Sequence, residues 1–327
     1  MNVTTLTWAI TVLVILGLFI FDFFAHVRTP HEPTFRESGF WSAVYIGIAL
    51  LFGGFVAWQW GGTYAGEYYA GFVTEKALSV DNLFIFLIIM STFAVPRIYQ
   101  QKVLLIGIVL ALVMRGIFIA VGAAAISTFS WVFYLFGAFL VYTAANLLKE
   151  SGHEKEAEEK RDSRIVALIK RFLPTTDEYD GDKLITRIDG RRTLTPLLLA
   201  LIAIGFADLL FALDSIPAIY GLTEQPYLVF TANAFALMGL RQLFFLIGGL
   251  LDRLVYLSYG LAAILAFIGV KLVLHALHEN TLPFINGGEH VTVPEISTPV
   301  SLGVILGILV VATVASLAKT RGAVKQG

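Results

Sequence analysis

Nine stretches of the 327-residue chain are apolar for long enough to cross a hydrocarbon core about 30 Å thick, which takes roughly 20 residues of helix. They fall at 4–26, 39–60, 71–95, 103–126, 131–148, 194–218, 227–250, 254–277 and 300–318. Between them lie short polar connections and one long hydrophilic segment, 150–193. The pattern predicts an all-α polytopic membrane protein of about nine transmembrane helices. The first stretch has no basic leader and no small-residue cleavage site, so it reads as a retained helix.

Two spans break the apolar pattern. EKALSVDNLFIF (75–86) and FADLLFALDSIP (206–217) each set an acid and, six residues on, an aspartate inside a span: Glu75 and Asp81 in the third, Asp208 and Asp214 in the sixth. An ionisable group at mid-bilayer costs about 2.5–3.5 kcal/mol on the insertion scale, so four acids demand compensation. Lys76, Arg115, Arg241 and Lys271 are the cations at hand, and pairing with them is a purely structural reading of the acids. That reading leaves unexplained why two acids recur at one spacing in two spans.

Alternate connections differ sharply in Lys and Arg content, the quantity that sets membrane orientation. One side carries Arg28, Arg36, Arg97, Lys102, the cations of 149–192, Arg253, Lys319, Arg321 and Lys325. On the other, 61–70, 127–130, 219–226 and 278–299 contain no Lys or Arg. The expected arrangement is an inner-membrane protein with its amino terminus outside and its carboxyl terminus in the cytoplasm.

Spans three and six, separated by three crossings, run antiparallel. Each carries the acid pair followed by a small polar residue, Asn82 or Ser215, and the span after each holds an arginine, in LVMRGIFIAVG around Arg115 and LMGLRQLFFLIGG around Arg241. YLFGAFLVYTAANLLK (134–149) and YLSYGLAAILAFIGVK (256–271) continue the correspondence. Two inverted-topology three-helix repeats are therefore expected. The division is 1–70 (spans one and two), 71–148 (first repeat), 149–193 (cytoplasmic charged linker), 194–277 (second repeat) and 278–327 (outer loop, span nine and tail).

On a regular helix, six residues advance about 9 Å and turn 240°, so the two acids of one span point 120° apart and cannot both face one ion. Crossing the antiparallel spans brings Glu75 to the depth of Asp214 and Asp81 to that of Asp208. Unwinding at Ser79, Ser215 or Pro217 would also help, by freeing carbonyls. Asn82, Ser215 and Asn233 are candidate further ligands, and Asp22, near the inner end of span one, is a candidate for the ion pathway.

Composition narrows the cargo. The chain is 57% hydrophobic and 14% charged, and it contains no cysteine and four methionines. Soft-sulfur chemistry is thereby disfavoured, and oxygen donors suit Mn²⁺, Mg²⁺ or Ca²⁺. Carboxylates that hold protons when empty would release them on binding metal, the basis of proton antiport. No fixed cofactor, enzymatic activity or nucleic-acid partner is expected. TTDEYDGD (175–182) lacks the spacing of a calcium loop, and HALHEN (275–280) and GGEH (287–290) read as solvated loops. RIVALIKRFLP (164–174) mixes apolar and basic positions as an interfacial helix does.

EKALSVDNLFIFLIIM, LLFALDSIPAIYGLT, LPFINGGE and the long segment beginning TANAFALMGLRQLFFLIGG closely resemble the TerC family of integral membrane proteins, within the LysE-like transporter superfamily. The resemblance implies manganese export, with Glu75, Asp81, Asp208 and Asp214 as the metal-binding acids, and an association with tellurium resistance. It also leaves open a non-transporting partner that helps load metal into exported proteins. An intramembrane aspartyl protease is a further reading, one in which only two acids would matter.

Overall fold

The computed structural model describes all residues except 28–32, 130, 151–175, 177, 189–190, 248–254, 281, 283–284 and 325–327. The side chain of Asp81 lies outside the described set, as do the interfacial segment 164–174 and several of the cations that set orientation. The chain forms α1 (Thr5–Asp22), α2 (Phe35–Trp60), α3 (Gly62–Thr92), α4 (Arg97–Thr128) and α5 (Val132–Glu150). There follow a hairpin of β1 (Ile185–Ile188) and β2 (Arg191–Leu194), then α6 (Pro196–Tyr220), α7 (Pro226–Leu237), α8 (Leu240–Ile247), α9 (Leu257–His278) and α10 (Thr298–Val324).

Among the described residues, eight helical stretches are long and apolar enough to cross a membrane. The ninth expected span is α3, a single helix of 31 residues, about 46 Å at 1.5 Å per residue. Its charges keep it from counting as apolar, and it packs against α2, α6, α7 and α10. Of its charged side chains, Glu75 is wholly buried and Lys76 partly so.

Two local features differ from the sequence expectation. Neither α3 nor α6 unwinds; both stay helical through Ser79, Ser215 and Pro217. The break falls instead in the seventh span, where Met238 is extended and Gly239 has φ +74°. Only glycine takes that backbone freely, and a Cβ there would also sit 3.1 Å from Cβ of Tyr45. Breaking a helix in an apolar setting frees carbonyls that need donors. Lys76 Nζ supplies them, donating to the carbonyls of Ala236 at 3.0 Å and Met238 at 3.3 Å.

The second feature is the hairpin at the end of the linker, with Ile185 opposite Leu194. It is held to the helices by Lys102 Nζ, 2.6 Å from the Asp182 carboxylate, and by Tyr179, whose hydroxyl donates to the Phe93 carbonyl at 2.7 Å. Elsewhere α5 and α9 approach so closely that a Cβ on Gly137 would lie 2.8 Å from the Gly269 carbonyl oxygen. The two glycines let the backbones meet there, with the side chains of Val141 and Val273 packed on either side.

Candidate ion site

Glu75, Ser79 and Asn82 lie four and three residues apart on α3 and so share one face. That face meets Arg115 of α4, and Asp208 and Ser215 of α6 reach the same guanidinium. Arg115 donates from Nε to Asp208 Oδ2 at 3.1 Å and from Nη2 to Asp208 Oδ1 at 2.8 Å, a two-pronged bond. Its Nη1 donates to Glu75 Oε1 and, at 3.3 Å, to Ser215 Oγ. The Asn82 amide oxygen accepts from Nη2 at 3.3 Å while its nitrogen donates to the Leu78 carbonyl at 3.0 Å. Glu75 and Ser215 thus share one end of the guanidinium, and Asn82 and Asp208 the other, as antiparallel crossing requires.

None of the three charges touches solvent: relative exposure is 0% for Arg115, 0% for Glu75 and 1% for Asp208. Two ionised carboxylates against one guanidinium leave an excess negative charge, which a water-free interior tolerates only with a proton or a further cation. Glu75 Oε2 marks a place for it, being buried without a partner among the described residues. Nearby on α3, Thr74 Oγ1 and Ser79 Oγ are in the same state, as are both amide atoms of Asn233 on α7. Asn233 sits on a helix wedged between α3 and α4: Ala232 approaches within 3.3 Å of where a Gly71 Cβ would be, and Phe230 within 3.8 Å of Gly116's. Buried polar groups are nearly always paired, so unpaired ones such as these call for a ligand or water.

The other expected residues are placed differently. Asp214, partly buried, accepts from Thr143 Oγ1 of α5 at 3.1 Å and does not join the Arg115 cluster, because it points about 120° away from Asp208. Among the described residues no three carboxylates or imidazoles gather as a metal cage. Of the four expected compensating cations only Arg115 engages the acids of spans three and six in the bonds described. Lys76 binds carbonyls. Lys271, half-buried on α9, feels the charge of Glu67 on α3. Arg241 turns to Asp22, with Nη2 2.9 Å from Oδ1. That same oxygen accepts from the Tyr45 hydroxyl at 2.6 Å and from Gln242 Nε2 at 3.1 Å, and Arg241 Nη1 donates to Gln101. The expectation for HALHEN is a solvated loop, but His275 and His278 lie in the last turn of α9, where His275 pairs with Glu224 at 2.9 Å and His278 with Glu295 at 3.3 Å.

Sequence reasoning did not single out Thr74, Thr143, Tyr45, Gln101 or Gln242. Single polar residues in apolar spans were the available signal, but nothing in their spacing says which of them turn inward.

A helical chain with eight long apolar helices among its described residues and a buried mixed-charge cluster between them has the make-up of an integral membrane protein. The chain belongs to the TerC family of integral membrane proteins, whose sequence profile matches residues 60–323. It is 54% identical over 323 residues to an uncharacterised membrane protein of Mycobacterium tuberculosis, covering 98% of this chain and 81% of that one. An uncharacterised membrane protein of Myxococcus xanthus is 38% identical over 316 residues, 97% of this chain and 93% of its own. Alx of Escherichia coli K12, described as a candidate membrane-bound redox modulator, is 37% identical over 291 residues, 86% and 85% of the two chains. No solved structure matches the chain.

Proposed function

We propose that the protein exports a divalent cation, Mn²⁺ by preference, across the inner membrane in exchange for protons. The observation that carries this reading is the buried, unpartnered Glu75 Oε2 beside an acid pair with one guanidinium between its two members. Hard oxygen donors, two carboxylates with the hydroxyls and amide of Thr74, Ser79 and Asn233, suit Mn²⁺ over softer metals. One proton, on Glu75, would balance the excess charge when the site is empty. A metal ion would displace that proton, and the guanidinium would have to yield part of its hold. Asp81 and Asp214 are proposed as the acids that join when the helices rearrange, completing a four-acid set.

A broken span beside the site, with α8 separate from α7, fits a transporter in which half-helices move about a central ion. We read α3–α5 and α6–α9 as the two inverted repeats that would supply that motion. With no cysteine the chain has no thiol of its own for redox exchange, so a redox effect would have to reach it through the metal.

The test is Mn²⁺ uptake into inside-out vesicles under an imposed pH gradient. Wild type should accumulate the metal, and Glu75→Gln and Asp208→Asn should not, although both remain in the membrane. Uptake equal to wild type in both variants would remove the proposed site. Absence of uptake by wild type itself would favour a partner that loads metal into exported proteins.

A further inference from the structure

At the other buried charge cluster, four side-chain atoms lack a protein partner: Ser38 Oγ, Ser42 Oγ, Arg241 Nε and Gln242 Oε1. Ser38, Ser42 and Tyr45 line the buried face of α2, and Asp22 ends α1 just before a π-helical turn, Phe23–Val27. Turns of that kind inside helices often mark working positions. Two narrow cavities meet here and share only Arg241 and Gln242 in their linings. The first runs past Asp22, Tyr45 and Leu105 to Met238 and Gly239, the break whose carbonyls Lys76 holds. The second, just as enclosed, lies against Glu37, Ser38 and Gln101, in the first turns of α2 and α4, next in sequence to Arg36 and Lys102.

We infer that the clasp of Asp22, Tyr45, Arg241, Gln242 and Gln101 is a polar gate on an access route from the Lys/Arg-rich face to the buried carboxylates. Closed, it puts a guanidinium across the route and repels cations. Arg241 rides on α8, a helix of eight residues joined to α7 only through Met238 and Gly239, so it can withdraw without moving α7. Withdrawal takes the guanidinium off Asp22 Oδ1 and offers that oxygen to an arriving divalent cation. The unpartnered hydroxyls and amide then become the polar lining of a wet passage. The cation as cargo rests on the function proposed above; the gate itself is a claim about access.

The absence of cysteine makes the test direct, since any introduced thiol is the only one in the chain. Leu105→Cys reports on the first cavity, beside the break, and Ser38→Cys on the second, at the helix ends. In lipid nanodiscs, open on both faces, a small cationic methanethiosulfonate should modify Ser38→Cys at least tenfold faster than Leu105→Cys. Adding Asp22→Asn or Arg241→Gln should raise the Leu105→Cys rate at least tenfold and leave Ser38→Cys unchanged. Tyr45→Phe, which removes one bond to Asp22, should give a smaller rise in the same direction and serves where the charge variants do not fold. An unchanged Leu105→Cys rate in Tyr45→Phe and Asp22→Asn, or equal rates at the two sites in the parent, would overturn the gate. Gate-dependent labelling without Mn²⁺ flux in wild type would support the gate and sink the transport reading.

Discussion

Arg115 answers two carboxylates at once, but unequally: Asp208 holds it through two nitrogens and Glu75 through one. Removing a partner from a buried ion pair costs about 3–5 kcal/mol because the remaining charge is stranded. Arg115→Gln strands two carboxylates and should lower the yield and melting temperature of purified protein sharply. Asp208→Asn breaks the two-pronged bond and should also destabilise, though less. Glu75→Gln removes the excess charge and keeps the Arg115–Asp208 bond, so it should melt within a few degrees of wild type and yet bind no Mn²⁺ by calorimetry. A stable Arg115→Gln protein, or full Mn²⁺ binding by Glu75→Gln, would contradict this account. At this scale the sequence already pointed to the acids and to Arg115, because charges in apolar spans are conspicuous. It could not assign partners: Asp208 and Asp214 differ only in helical rotation, and rotation is set by the packing of α6 against α4 and α5.

The seventh span shows what apolar pattern cannot reveal about an element. A membrane helix is apolar on all sides, so its composition reads the same whether it is continuous or broken. One glycine, Gly239, was the visible trace of the break, in a chain with 29 glycines. The carbonyl donors from Lys76 came from a different span and could not be foreseen from spacing. Leaving a buried carbonyl without its hydrogen bond costs about 1–3 kcal/mol. Lys76→Met strands two carbonyls and should loosen the α7–α8 junction, whereas Gly239→Ala meets both the positive φ and the Tyr45 side chain. Hydrogen exchange measured by mass spectrometry should show faster exchange in peptides spanning 234–243 in Lys76→Met. Exchange unchanged there would mean that the lysine does not hold the break.

Across the whole molecule the helical spans were legible because long apolar runs are summed over many residues: eight of the nine expected are long apolar helices among the described residues, and α3 departs through its charges. The linker was not: its hairpin has two strands of four residues, too short for alternation to register. That hairpin matters for pH, because its tethers are titratable. The Asp182 carboxyl is held below the usual range chiefly by its hydrogen bond from Lys102, and Asp180 likewise by Thr186 and Lys183. A depressed carboxylate contributes stability that is complete above its unfolded value, about 3.9, and is lost as pH falls through the folded value. Tyr179 has the opposite sense: burial pushes its phenol up to about 12, so its contribution is whole below about 10 and is lost only as pH rises toward 12. Between pH 5 and 9 the hairpin should therefore stay docked on α3 and α4, giving constant protection of its amides to hydrogen exchange. The exchange proposed above predicts a different response over the same interval: Mn²⁺ binding that strengthens with pH and releases protons, visible by calorimetry in buffers of differing ionisation enthalpy. Constant docking with changing affinity would place the pH response in the buried acids. If affinity stays flat and no protons are released, the carboxylates are permanently ionised against Arg115, and proton exchange must be abandoned as the driving step even where Mn²⁺ still binds.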